Sequence, residues 1–469
     1  LFTKWPQADA IIGNPPFLGG VTIRTYRGDA YYTSLRKQFP EVPGQADLCV
    51  HWFRIAHDNL KAGRRAGLVG TNTIRQNYSR IAGLDYILEH GGVITEAVSS
   101  QEWSGEAKVH VSIVNWIKGT STWTKKIYTQ DFAAKEEKWI IDETERISSA
   151  LSAAMDVSKA QLIGDLQWKG VSVGQMPKHH GFLISPEQAS RLILLDKHSE
   201  SVIHPFLSGD NMLTAIGGSP SRHIIDIDET SILPAMKYAA AFAYLKENVY
   251  PDRQKAAEKE KEEKGEGGYH QQQLSQWWRL ARPYAELISI IRSLPRYIAC
   301  SRVTKRPIFS FIHSGINPAD SLQVFAFSDD YSFGILQSDL HWSWFVARCS
   351  TLKGDFRYTS QTVFDTFPWP QSPTLKQAQA VAKAAVKLRA LRHRVMKKYG
   401  WSLRDLYRTL EIPGDNELRD AQEALDTAVR AAYGMKKGED VLAFLLRLNG
   451  EVAEREGQLQ PVTGPGLPP

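Results

Sequence analysis

The sequence predicts an α/β segment, then an α+β segment, then a C-terminal bundle of helices. Three observations predict it. In the first quarter, short apolar runs alternate with helix-spaced stretches. From about residue 171 to residue 370, short strand-like runs are mixed with loops, tryptophans and basic residues. From residue 375 onward, apolar residues recur at helical spacing.

The run at residues 8–13 is apolar and is ended by glycine and proline, which predicts a buried strand. Residues 46–59 have helical spacing, with Leu48, Trp52, Ile55 and Ala56 on one stripe. A second buried strand is predicted over 65–73, a helix over 78–89, and further strands over 93–98 and 109–117. Strands separated by helices argue for a parallel sheet, which binds ligands beyond the carboxyl ends of its strands. A buried first strand needs neighbours on both sides. The sequence begins at Leu1 rather than Met, so it is expected to be a fragment with more of the sheet upstream.

Later strands are expected over 223–227, 297–304, 308–311 and 322–327. The run at residues 253–268 carries charges of both signs and ends in glycines, which suits a solvated helix or a mobile insertion. Residues 375–399 form an amphipathic helix with a basic outer face, and two or three further helices follow. The outer face reads as an ordinary charged surface or as a clamp along a nucleic-acid backbone. The end, 458–469, is rich in proline and glycine and is expected to be disordered. The predicted divisions are 1–125, 126–370, 371–457 and 458–469.

With 469 residues, two or three domains are expected. Hydrophobic residues make up 42% and charged residues 23%, values of a soluble globular chain. No apolar run has the length of a membrane span. Cys49, Cys300 and Cys349 lie far apart without a CxxC pair, which argues against a disulfide framework and points to a cytoplasmic setting. No histidine or cysteine spacing suggests a metal site. A net charge of +6 is compatible with a nucleic-acid partner.

The sharpest motif is Asn14-Pro15-Pro16-Phe17, set at the end of the first strand. Asn-Pro dipeptides also mark ordinary turns. The position beside a strand end favours chemistry, specifically methylation of an exocyclic amino group. The lone pair of such a nitrogen is delocalised into the base. Two acceptors on its two hydrogens aim the lone pair at a methyl donor. The Asn14 side-chain oxygen and the Pro15 carbonyl are such acceptors. The two prolines stiffen the backbone and pre-organise it. Phe17 offers a face for an extruded base, a contact worth roughly 1–3 kcal/mol.

Residues 11–20 (IIGNPPFLGG) resemble motif IV of amino-methyltransferases. ADLCVHWF at 46–53, GLVGTNTIR at 67–75 and GEAKVHVSIVNW at 105–116 resemble their later motifs. Together these look like the large MmeI-like adenine-N6 DNA methyltransferases. The resemblance continues through Trp277-Trp278, Arg296-Tyr297-Ile298-Ala299, Phe333-Gly334-Ile335-Leu336 and Arg357-Tyr358-Thr359. It ends in FDTFPWP at 364–370 and LDTAVRAAYG at 425–434. It implies a partial Rossmann-like class I methyltransferase sheet, then a target-recognition domain, then a helical domain. It implies S-adenosylmethionine as cofactor and double-stranded DNA as partner. One departure matters: no Gly-rich turn following a strand is found downstream of the tetrad. The main cofactor motif is therefore expected upstream, and these residues alone are expected to be inactive.

Lys353, Asp355 and Arg357 are the candidate base-reading residues, where the resemblance places them. If the chain is extended there, positions 353 and 355 face the same side. Lys donates to guanine and Asp accepts from cytosine N4, so the two suit one G·C pair. An exposed turn with a local ion pair is the plainer alternative. Arg279, Arg282, Arg302, Lys305 and Arg306 are candidate contacts to the DNA backbone. The tryptophans are better read as core. Two other functions stay open: DNA recognition without catalysis, and methylation of RNA or of protein glutamine. Neither a fused nuclease domain nor a role in restriction-modification or phage defence is fixed by these residues.

Overall fold

The computed structural model describes residues 5–103, 110–130, 139–151, 157, 159–164, 168–352 and 355–468. The chain forms two compact units, residues 1–160 with 350–354, and residues 161–349 with 355–469.

In the first unit, β1 (Ala10–Gly13) is followed by α1 (Gly20–Gln38) and α2 (Cys49–Asn59). Then come β2 (Arg65–Thr71), the short helices α3 (Asn77–Arg80) and α4 (Tyr86–Glu89), β3 (Gly92–Glu102) and β4 (His110–Lys118). β5 (Lys125–Gln130) and β6 (Trp139–Thr144) complete one six-stranded sheet in the order β1-β2-β4-β3-β5-β6. β1 and β2 are parallel, with Gly13 opposite Leu68, and β3 and β5 are parallel. β4 is antiparallel to both β2 and β3, and β6 is antiparallel to β5.

The sheet is thus mixed, which corrects the expected parallel one. The link from Glu102 to His110 is too short for a crossover, so β4 must reverse direction. Among the described residues, β1 pairs with β2 on one side, and Ile12 is 85% exposed. The sheet continues past residue 125 because β5 and β6 add to its edge. Their charged outer residues hid them from a reading based on apolar runs. α1 was missed because its apolar residues are not at helical spacing; Ile23 and Leu35 are the buried ones among its described side chains.

The second unit opens with β7 (Val171–Val173), β8 (Leu183–Ile184), α5 (Pro186–Leu195), β9 (Ile203–Leu207), α6 (Gly209–Thr214) and β10 (Arg222–Ile225). Helices α7 (Ile232–Ala235), α8 (Ala239–Asn248), α9 (Tyr250–Lys264), α10 (Tyr269–Ser275) and α11 (Ala285–Arg292) follow. Next are β11 (Arg296–Ser301), β12 (Val303–Thr304), β13 (Ser310–His313), β14 (Asn317–Pro318), β15 (Leu322–Phe325), α12 (Asp330–Gln337) and α13 (Asp339–Arg348). After β16 (Ser350–Leu352), which belongs to the first unit, β17 (Asp355–Arg357), α14 (Ser360–Val363), α15 (Leu375–Tyr399), α16 (Leu403–Arg408), α17 (Glu417–Tyr433) and α18 (Val441–Gly457) complete the chain. Two four-stranded sheets, β14-β9-β10-β8 and β13-β11-β15-β7, form its centre. Trp277 and Trp278 are buried beside Phe242, so these tryptophans are core rather than surface.

The charge run at 253–268 is not a loose insertion. Its helix α9 buries Arg253, Ala257 and Glu260, spaced at helical intervals along one face. Glu260 accepts from the backbone N–H of His270 (2.6 Å) and Gln271 (3.2 Å), at the start of α10. Arg253 Nη1 lies 3.0–3.4 Å from the carbonyls of Gln273, Gln276, Trp277 and Arg279, past its end. Each charge meets the helix pole of opposite sign. Burial pulls the Arg253 pKa down to about 10.

α15 spans residues 375–399 as predicted, opened by a capping box at Thr374 and Gln377 and closed by left-handed Gly400. The Pro- and Gly-rich end, expected to be disordered, has no helix or strand but is tied down. Thr463 exchanges three hydrogen bonds with Gln371 (2.7–3.2 Å).

Asp426 of α17 is half-buried, and its Oδ1 accepts from the Asp339 N–H (2.9 Å) and Gln422 Nε2 (3.0 Å). Burial, then the nearby Asp339 carboxylate, raises its pKa to about 7. The folded state therefore holds this proton more tightly than the unfolded chain, so the carboxyl's stabilising contribution is lost as pH rises through about 7. Asp426→Asn keeps the acceptor and removes the charge. The variant is expected to unfold later than the parent at pH 8, by on the order of 2 kcal/mol, with the advantage shrinking toward pH 5. Thermal melts across that range read it; parallel curves would sink the assignment.

Candidate active site and nucleic-acid surface

Asn14 follows Gly13 at the carboxyl end of β1, beside parallel β2. Pro15 is buried, Asn14 and Pro16 are exposed, and Phe17 is half-buried. The Phe17 ring stands edge-on to Trp103, with centroids 6.1 Å apart. The tetrad thus presents a polar atom and an aromatic ring at one strand end.

The segment just after the tetrad is clamped from behind. Leu18 receives the Leu48 N–H at 2.9 Å and sends its own N–H to Asp47 Oδ1 at 3.4 Å. A Cβ on Gly20 would lie 2.4 Å from the Ala46 carbonyl oxygen, so only glycine allows this approach. Asp47 is 5% exposed and is the hub of the clamp. Its Oδ1 also accepts from the Cys49 N–H (3.1 Å), at the start of α2. Its Oδ2 accepts from Thr71 Oγ1 (3.1 Å), at the end of β2, and its own N–H donates to Ser79 Oγ (2.9 Å). One carboxylate therefore ties the tetrad loop, α2 and the neighbouring strand end. Asp47 is not singled out by any motif; the acidic residue near the start of the apolar ADLCVHWF run is its one local signal. Burial, then Asp47, pushes the Cys49 thiol well up, so that cysteine is an inert packing group.

The open face of this sheet carries a groove of 420 Å³, lined by Ile12, Arg65, Gly67, Glu96, Asn115 and Trp123 among others. Residues 105–109 of the GEAKVHVSIVNW motif lie outside the described residues, as does Lys353 of the base-reading trio.

Asp355 begins β17, and Arg357, half-exposed, ends it. β17 pairs antiparallel with β12, Val303 opposite Arg357. Its inward residues fix its position. Phe356 meets the edges of Trp342 and Phe345, and Tyr358 stacks on Phe345 with centroids 5.2 Å apart. Tyr358 Oη donates to His341 Nε2 (3.0 Å), while His341 Nδ1 donates to the Leu336 carbonyl (2.9 Å). Burial lowers the His341 pKa to about 3, so the ring is neutral and this tautomer is the one that satisfies both bonds.

The five predicted backbone contacts fall into two groups. Arg302, Lys305 and Arg306 flank β12, the strand beside Arg357, with Lys305 and Arg306 exposed. Burial, then the neighbouring Arg357 charge, lowers the Arg302 pKa, a setting that an anion would relieve. Arg282 is exposed in the loop before α11. Arg279 is occupied within the fold, paired with Asp228 and bonded to Gln276 Oε1.

Among the described residues, no group of three His, Cys, Asp or Glu could hold a metal ion, and no helix is long and apolar enough to cross a membrane.

Comparison with known proteins follows the same division. Residues 4–129 match the family model for the MmeI DNA-methyltransferase domain, and residues 157–371 that for the MmeI target recognition domain. DNA methyltransferase A of Bacillus subtilis (strain 168) is 22% identical over 467 residues, 95% of this chain and 48% of that protein. A solved structure of the Type IIL restriction-modification enzyme MmeI in complex with DNA superimposes with a TM-score of 0.73. It is 22% identical and covers 95% of this chain and 57% of its own, a likeness that establishes a shared fold. The chain thus spans about half the length of these relatives.

Proposed function

This chain belongs to the MmeI-like methyltransferases with a target recognition domain, and from that premise we propose that it serves site-specific adenine-N6 methylation of duplex DNA within a restriction-modification protein. The observation that carries the reading is the tetrad Asn14-Pro15-Pro16-Phe17 at a strand's carboxyl end, rigidly backed by Asp47. Asn14 Oδ1 and the Pro15 carbonyl take the two amino hydrogens of an extruded adenine, and Phe17 receives its face. Asn at position 14 favours adenine over cytosine.

S-adenosylmethionine is the methyl donor that this family implies. The described residues do not fit it by themselves. β1 runs on into Asn-Pro-Pro and β2 into the turn Asn72–Arg75, so neither strand ends in a Gly-rich loop. The exposed Ile12 on β1 marks an edge that other strands can extend. We therefore place the main cofactor contacts beyond that edge. Residues 1–469 alone then bind DNA without methylating it, the second reading, which the exposed β1 favours.

The test is transfer of radiolabel from S-adenosylmethionine to duplex DNA, followed by digestion to identify the base. Label as N6-methyladenine with the whole protein, and none with residues 1–469, is the expected result. Label on RNA or protein instead would overturn the substrate.

Base reading is assigned to Lys353, Asp355 and Arg357; the Tyr358–His341 bond anchors the chain just after Arg357. Lys353→Glu with Asp355→Arg is expected to change the preferred base pair at one position of the methylated site. Sequencing of methylated positions in a random library reads it, and an unchanged site would remove these residues from that role.

A further inference from the structure

α15 contains no Asp or Glu in its 25 residues, LKQAQAVAKAAVKLRALRHRVMKKY. Of its cations, the structure takes two inward. Arg392 is buried, its Nη1 donating to the Phe309 carbonyl (2.9 Å), and Arg389 pairs with Asp330. Of the six others, five form a pattern and exposed Lys397 stands outside it. At about 100° per residue, Lys376, Lys383, Lys387, Arg394 and Lys398 fall within about 40° of one line along the helix. All five are exposed. The line lies opposite the buried stripe of Ala378, Val381, Ala385 and Leu388. Between the cations stand exposed Gln379, Ala380 and Ala390, so no bulky side chain rises between them. Among the described residues, only Arg394 of the five has a carboxylate partner, the exposed Glu417.

An ordinary solvated helix mixes signs, as α9 does with its Lys259–Glu263 pair. Here like charges are aligned over about 33 Å, close to one turn of duplex DNA. Such alignment is unfavourable unless a regular polyanion lies along it.

We propose that the outer face of α15 is a second DNA-binding surface, which follows one strand's phosphates without reading sequence. It rests on the proposed function only for the identity of the polyanion. The stripe adds affinity for DNA outside the recognition site and leaves the choice of site alone.

The test uses the whole protein and two duplexes that carry its site, one barely covering it and one with long flanks. The variant is Lys376→Gln, Lys383→Gln, Lys387→Gln. The control, Lys255→Gln, Lys259→Gln, Lys261→Gln on α9, loses the same charge. On the long duplex, the α15 variant is expected to bind more weakly, with its log Kd against log salt slope shallower by about 2–3. The methylated sequence should stay the same and the control should match wild type. An unchanged slope, or an equal loss in the control, overturns the stripe. Failure of the wild-type protein to bind either duplex overturns the proposed function instead.

Discussion

Asn14→Ala in the whole protein lowers the rate of methyl transfer by about 10²–10³-fold or more, while binding to the recognition duplex persists. The size follows from what is removed. One fixed acceptor that meets developing positive charge on the nucleophile is the counterpart of an oxyanion-hole donor, whose loss has effects of that order. The position is exposed, so the cavity penalty of a core truncation does not arise and the variant folds. Single-turnover transfer and a gel shift on the same preparation separate the two quantities. A variant that transfers methyl groups at the wild-type rate would sink the assignment of Asn14.

Asp47→Ala is expected to be the more damaging change for the fold. It strips the acceptor from two backbone N–H groups and from Thr71 Oγ1, and it leaves Ser79 as the only partner of its own N–H. Thr71 Oγ1 keeps Thr73 Oγ1 at 2.7 Å, and the two backbone donors left without an acceptor cost roughly 1–3 kcal/mol each, so a loss of at least about 2 kcal/mol is expected. The tetrad loop also loses its backing. A shift of about 1 Å at a reacting centre lowers rates by about 10²-fold. Asp47→Asn is the discriminating partner variant. It keeps one acceptor oxygen for Leu18 and Cys49, and its amide can donate to Thr71 Oγ1. Most of the stability and rate should return. If alanine melts with wild type and transfers as fast, Asp47 is not the hub described here.

How much of the site was legible depends on how local its causes are. The tetrad's place at a strand end was legible because the short apolar run before it, ended by glycine and proline, is a local signal. The α15 boundaries were legible because a capping box, an apolar stripe and a C′ glycine are all local signals. Asp47 was not, because its partners are Leu18, Cys49, Thr71 and Ser79, which come together only when α2 and β2 are in place. The Tyr358–His341 pair was hidden for the same reason, lying 17 residues apart. Arg279 shows the converse: as a basic residue beside tryptophans it reads as a DNA contact, and its ion pair with Asp228, 51 residues away, is visible only in the fold.

The sequence by itself determined the order of the parts, α/β then α+β then helices, and the place of the tetrad at the end of the first strand. Periodicity, capping and turn residues act over a few positions, and a residue's functional groups do not depend on the fold. Only the tertiary structure decided the direction of β4, the exposure of β1, which face of the charged helix α9 is buried, and which α15 cations remain for a partner. Each of these turns on what lies across space from a residue. Burial, pairing and the reach of a carboxylate are set there, by neighbours that no short stretch of the chain contains.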